Sequence, residues 1–307
     1  MRKFLCFATL LSVALTSFAQ SGTNSPYSQY GLGQLSEQSG GFNRGMNGLA
    51  LGFHEHNQVN HLNPASYSEI DSLTFIFDVG MSGQVTNFKE GGKKLNANNA
   101  DFEYAVAAFR AFRHLGVSFG ILPYTNVGYN YSQTVELNDG NKTVATNTYS
   151  GTGGIHLVYL GAGWQPLRGL SIGANVGYLW GGYTRTVVNS YSDSYANSLV
   201  KRYTADVRNY KLDFGLQYTA KLSKKDELTI GLSYSRNKLQ LEIPHSYGVG
   251  FMYNHNNKVK VGVDYNLQQW SKVKHPVSVG GDGAVLYQMA EGVFNDRHKI
   301  TLGTEIC

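Results

Sequence analysis

From about residue 72 onward the chain alternates apolar and polar residues over long stretches. In Leu170 to Tyr183 one face reads Leu170, Ile172, Ala174, Val176, Tyr178, Trp180 and the other Ser171, Gly173, Asn175, Gly177. In Lys211 to Leu222 the faces are Leu212, Phe214, Leu216, Tyr218, Ala220, Leu222 against Lys211, Asp213, Gly215, Gln217, Thr219, Lys221. Lys258 to Gln268 sets Val259, Val261, Val263, Tyr265 and Leu267 against Lys258, Lys260, Gly262, Asp264, Asn266 and Gln268, and Leu228, Ile230, Leu232, Tyr234 repeat the pattern. Period 2 predicts strands with one apolar and one polar face. Ten are expected, near 72–87, 101–110, 114–136, 143–164, 170–188, 204–221, 228–240, 246–254, 258–270 and 297–306.

Alternation alone also fits a soluble β-sandwich whose polar face meets water. Strand length and aromatic placement favour a membrane. Several runs exceed the usual globular strand of about 5–6 residues and approach the 9–11 or so that cross hydrocarbon. Tyr178, Trp180, Tyr218, Tyr234, Tyr265 and Trp270 sit towards the ends of apolar faces, as interface girdles require. The expected fold class is therefore all-β, a transmembrane antiparallel β-barrel of about ten strands.

The first 19 residues read as a secretory signal: Arg2 and Lys3, an apolar run from Phe4 to Leu15, and Ser17-Phe18-Ala19 as a cleavage site. Its removal takes away Cys6 and two basic residues, leaving Cys307 and lowering the net charge from +5 to +3. Neither a disulfide framework nor nucleic acid as a partner is expected. No apolar helix of about 20 residues follows. Residues 20–71 are irregular and rich in Gly and Asn, which suits a hatch or plug, and 72–307 form the barrel. Short links (111–113, 165–169, 222–227, 255–257) alternate with longer ones (88–100, 189–203, 271–296). This is the pattern of periplasmic turns and extracellular loops, and its parity puts the N-terminal segment on the periplasmic side.

Two turns carry the candidate hatch or gating residues: Arg44, Gly45 and Gly48 in Arg-Gly-Met-x-Gly, and Asn63, Pro64, Ala65. Asn initiates turns, while Pro64 fixes its own φ and biases Asn63 towards extended geometry. His54, His56 and His61 are imidazole ligand types, but no Cys accompanies them and their spacing matches no zinc pattern. They read as polar plug surface, and no metal or other cofactor is expected. Arg110, Arg113, Lys201 and Arg202 have the chemistry to hold a carboxylate, but read first as charges of loops and turns. Lys211, Asp213, Lys221, Lys258, Lys260 and Asp264 read as a polar ladder that is solvated or touches the plug. In loop 274–296, Val285, Leu286, Met289, Ala290 and Val293 have roughly helical spacing, giving either a short amphipathic helix at the barrel mouth or a loop packed on itself. No Gly-x-Ser-x-Gly, His-Glu-x-x-His or phosphate loop is present, so an enzyme is not expected.

These residues support a resemblance. The two turns, the stretch 243–273 ending in Trp270-Ser271, and the strand Arg297 to Ile306 together resemble the FadL/TodX family of outer-membrane transporters for hydrophobic compounds, in its divergent Bacteroidetes branch. The resemblance implies a monomeric barrel of fourteen strands with an N-terminal hatch. On this reading four C-terminal strands are missing and an edge is left open, since about eight strands enclose only side chains and ten should not hold a plug of roughly 50 residues. It also implies passive passage of hydrophobic small molecules, long-chain fatty acids among them. The implied surroundings are outer-membrane lipid, lipopolysaccharide and the barrel-assembly machinery, with ligand-binding residues unknown. The alternative is a structural or surface-interaction barrel whose lumen stays shut.

Overall fold

The computed structural model describes residues 23–90, 93–137, 143–193, 195–237, 243–279, 285–289 and 295–306. The expected signal at 1–19 lies outside them. Strand β1 (Gln34–Leu35) is short. The wall is made of β2 (Phe75–Glu90), β3 (Lys93–Phe112), β4 (Leu115–Glu136), β5 (Val144–Leu167), β6 (Leu170–Tyr191), β7 (Leu199–Lys221), β8 (Asp226–Asn237), β9 (Ser246–His255), β10 (Val259–Gln268) and β13 (Arg297–Ile306). Each pairs antiparallel with its sequence neighbour, and β13 pairs with β10 across the insertion between them. The result is one curled antiparallel sheet with β2 and β13 at its two ends, and β1 paired antiparallel with β4.

All ten predicted strands of the wall are present, but several are longer than the alternation suggested. The links expected at 88–100 and 189–203 are largely strand: β2 and β3 pair out to Glu90↔Lys93, and β6 and β7 out to Asn189↔Leu199. These residues are mostly polar and carry no regular alternation, yet backbone pairing continues because it needs no apolar side chain. Lys201 and Arg202, expected in a loop, are exposed residues of β7. The amphipathic helix considered for 285–294 is a correction. Val285–Met289 forms β12, paired antiparallel with β11 (Lys274–Val279). Short apolar runs of this length satisfy either period, and pairing with a neighbouring segment decided it. Ala290 and Val293 lie outside the described residues.

The apolar faces point outward. Phe77, Leu160, Val176, Ile300 and Leu302 are exposed on the convex side, as lipid-facing residues of a transmembrane barrel are. The buried core lies on the concave side, where residues 39–70 pack against the wall. Tyr67, Ile70 and Val59 meet Val106, Leu122, Ile155, Leu157 and Leu179, while Met46, Leu49 and Phe53 cluster with Met252.

Glycine on the inner face of the wall permits this approach. A Cβ on Gly116 would overlap the Tyr67 carbonyl, and one on Gly173 would overlap the backbone of Pro64. The inner wall is thus a floor on which the N-terminal backbone lies directly. Gly173→Val should drive Pro64 off this floor at a cost of about 1–3 kcal/mol or more, because backbone rather than a flexible side chain must move. The expected readout is a lowered melting temperature of the detergent-solubilised protein, with Val176→Leu on the lipid face as the neutral comparison.

Candidate functional site

The first turn begins with a short helix, Gly41–Gly45, followed by Asn47 and Gly48 at φ 58° and 88°. Gly48 accepts this left-handed geometry without steric cost. Its N–H donates to the Asn43 carbonyl (2.7 Å), and the Asn43 amide donates to the Leu49 carbonyl (2.8 Å). Arg44 reaches Glu103 on β3 at 2.8 Å and donates through Nε to the Ser39 carbonyl. Three residues on, Asn47 donates to the Leu302 carbonyl of β13 (3.2 Å). Lys299 of β13 faces Glu37 at 3.7 Å. The turn therefore touches strands near both ends of the sheet.

The second turn opens a 3-10 helix, Pro64–Glu69, with Pro64 in its first turn and Asn63 as its cap. Asn63 Oδ1 accepts from the Ala65 N–H at 3.2 Å. Its Nδ2 donates to the Leu51 carbonyl at 2.7 Å, and Gln217 of β7 donates to the same carbonyl at 2.8 Å. On the other side of Leu51, Asp264 Oδ2 of β10 accepts from the N–H groups of Ala50 (2.7 Å) and Leu51 (2.9 Å). Asn60 donates to the carbonyls of Ala50 and Phe53. The peptides around Leu51 are thus held from both sides by side chains fully inside the molecule. Further along, Asn175 of β6 donates to the His61 carbonyl and accepts from the Tyr67 hydroxyl, and Ser68 Oγ lies 2.8 Å from Ser171 Oγ. Lys260, on the inner face of β10, pairs with Glu55 and with Glu305 of β13.

Between this segment and the wall lies a cavity of about 190 Å³. Its lining mixes charge and apolar surface: Lys211, Asp213, Lys299, His61, Tyr124 and Trp270 are among its residues. His61 donates through Nε2 to the Gln38 carbonyl (2.6 Å), and burial pushes its pKa down to about 4, so the ring is neutral at pH 7.

A family model described as BamG matches residues 1–239. The chain belongs to the BamG family. No curated protein matches it in sequence. Among solved structures it is similar to the Ralstonia pickettii toluene transporter TbuX. The TM-score is 0.55 and the identity 13%, over 88% of this chain and 82% of that one. At that identity the likeness is one of fold. The expected FadL/TodX resemblance is met at the level of an outer-membrane barrel architecture, and the family the chain belongs to is BamG.

The BamG-family chain places its expected residues unevenly. Arg44, Gly48 and Asn63 are held by the contacts above, Pro64 and Ala65 press on β6 and β7, and Gly45 has open space around its Cα. The three histidines do not converge. His56 Nδ1 meets the Glu69 carbonyl, His61 meets Gln38, and no cluster of metal-binding side chains occurs among the described residues. In the polar ladder, Asp264 and Lys260 hold the N-terminal segment, Lys211 pairs with Asp213, and Lys221 pairs with Glu227 near the surface. Lys258 is exposed. Arg110 lies in β3, and its guanidinium points to the Ser68 carbonyl at 3.5 Å.

Gln217 and Asn175 were not singled out from sequence. The usable signal was there: both sit two residues from a glycine on the polar face of a long strand (Gly215, Gly173), where a backbone lies close enough to be held.

Two outcomes are expected. Asp264→Ala leaves the N–H groups of Ala50 and Leu51 buried without an acceptor, at about 1–3 kcal/mol each; proteolysis within residues 48–53 and thermal melting should report the loss. Asp264→Asn keeps an acceptor oxygen and should recover most of it. For His61, the folded pKa of about 4 lies below the 6.5 of a free imidazole side chain. Its contribution to stability is full above pH 6.5 and is lost as pH falls towards 4, because the unfolded state takes up the proton first. Melting of wild type and His61→Gln should converge over that window.

Proposed function

We propose that this protein is an outer-membrane barrel-wall protein acting as a structural, partner-holding component of the barrel-assembly machinery, with residues 20–71 as a hatch that stays seated. The family name points to that machinery. The observation that carries the reading is the hold on Leu51: its N–H is bound by Asp264, and its carbonyl by both Asn63 and Gln217. A hatch that moved aside would leave Asp264 and Gln217 facing the lumen without partners, which opposes opening. On this reading Arg44, Gly48, Asn63, Pro64 and Ala65 are hatch-seating residues. The short turns face the periplasm, and the surroundings are outer-membrane lipid and lipopolysaccharide.

The second reading is passive transport of hydrophobic small molecules, long-chain fatty acids among them. Two things favour it: the fold shared with a toluene transporter and the cavity beside Trp270 and Tyr124.

A hatch lock separates the two. Ser68 and Ser171 present their Oγ atoms 2.8 Å apart, one on the hatch and one on the wall, so Cys at both positions would place two sulfurs within reach of a disulfide. With Ser68→Cys/Ser171→Cys oxidised, the scaffold reading expects normal outer-membrane protein levels, and labelled fatty-acid uptake unchanged from a strain lacking the gene. Uptake that depends on the gene and disappears on oxidation would reject the scaffold reading in favour of transport.

A further inference from the structure

The wall has a seam. Pairing between β3 and β4 runs from Phe112↔Leu115 only as far as Ala105↔Ile121. Beyond it, β3 stays with β2 out to Lys93, and β4 stays with β5 out to Glu136↔Val144. The two hairpins therefore part, and one edge of β4 faces the gap. The physical reason sits at the parting point. Pro123 has no N–H to offer β3, and a bulge between Pro123 and Thr125 turns the strand.

The lower part of this edge is sealed by the N-terminal segment, which imitates a strand. Gln38 Nε2 donates to the Pro123 carbonyl (3.1 Å), and the Ser36 N–H to the Tyr124 carbonyl (3.0 Å). β1 pairs with Thr125 and Asn126. Ser28 Oγ then faces both backbone groups of one residue, accepting from the Gly128 N–H (3.1 Å) and lying 3.2 Å from the Gly128 carbonyl, while its proton is shared with the nearer Ser25 carbonyl (2.7 Å). Among the described residues the seal ends there. From Asn130 to Glu136, β4 pairs with β5 alone among the described residues.

Because the N–H and C=O of Gly128 face the seam, those of Asn130, Ser132, Thr134 and Glu136 face it too, by the alternation of antiparallel ladders. The other set points to β5, as the Leu137 N–H bound to the Thr143 carbonyl confirms. This open edge, Asn-Tyr-Ser-Gln-Thr-Val-Glu, lacks the usual protections. It has no Pro, no Lys and no further bulge, and it contains good strand formers. Beside it stand exposed Tyr27 and Tyr30, and Tyr131, which stacks on Tyr149 at 5.1 Å and donates to Gln29. Arg185 donates to the Gly31 carbonyl and lies 4.4 Å over the Tyr183 ring. Tyrosine and arginine are the side chains that most often carry protein recognition.

We propose that the seam above Ser28 is a strand-docking site, at which an extended segment of a partner protein adds to the Asn130–Glu136 edge of β4 and continues the line begun by β1. A row of alternating amide donors and acceptors is matched in spacing only by another backbone, which selects a polypeptide over a lipid or a sugar. The choice of partner rests on the scaffold reading above, since a barrel-assembly component needs protein contacts; the edge itself does not depend on it.

Residue-resolved hydrogen exchange on the full chain tests the site, comparing native outer-membrane vesicles with the detergent-purified protein. An occupied edge slows the Ser132 and Thr134 amides about tenfold or more in vesicles. The Tyr131, Gln133 and Val135 amides, bound to β5, are equally protected in both and serve as the internal control. Equal exchange of Ser132 and Thr134 in the two preparations overturns the proposal.

Ser132→Pro/Thr134→Pro provides the second arm. It removes seam-facing N–H groups and none that bind β5, so heat-modifiable mobility should be unchanged. Co-purification with the central barrel subunit of the assembly machinery should fall at least tenfold; co-purification at wild-type level overturns the assignment of the partner to this edge. If the wild-type amides are protected but the protein never co-purifies with that machinery, the docking site stands and the scaffold reading fails.

Discussion

Every backbone group brought inside this barrel must find a partner there, because neither lipid on one side nor a packed interior on the other supplies water. Most of the inner architecture follows from that constraint. The N-terminal segment is mostly irregular, so it cannot satisfy itself as a helix would. Its peptides are bound instead by wall side chains: Asp264 beneath Ala50 and Leu51, Gln217 at the Leu51 carbonyl, and Asn175 at the His61 carbonyl. Glycines at 116, 173 and 215 bring the two backbones close enough for short side chains to reach.

The same requirement shapes the wall. Where β3 leaves β4, the exposed ladder is capped residue by residue from Gln38 back to Ser28, with β1 as the one stretch of true pairing. The N-terminal segment thus does two jobs: residues 41–70 fill the concave side, and residues 28–38 replace a missing strand. Its contacts at Glu103 and Leu302 tie strands near opposite ends of the sheet to one short turn.

Membership of the BamG family and a fold shared with a toluene transporter meet in one molecule. A barrel fold hosts many functions, and the difference between them lies in the interior. Here the interior combines two apolar clusters with amide, carboxylate and hydroxyl groups that hold the N-terminal backbone, and a small mixed cavity lies beside them.

The sequence by itself determined the strands of the wall, the outward direction of their apolar faces, and the two turns at Arg44–Gly48 and Asn63–Ala65. These are local properties: alternation follows from the pleat, and Gly48 and Pro64 impose their own φ. The tertiary structure decided what those turns meet. That Asn63 and Gln217 share one carbonyl, and that Asp264 lies beneath Leu51, depends on residues more than 150 positions apart. No periodicity encodes such distances. The same holds for the polar ends of β2, β3, β6 and β7 and for β12. There, pairing with a neighbour settled a segment whose own pattern was silent or ambiguous, because a β-strand is completed by its partner and not by its own sequence.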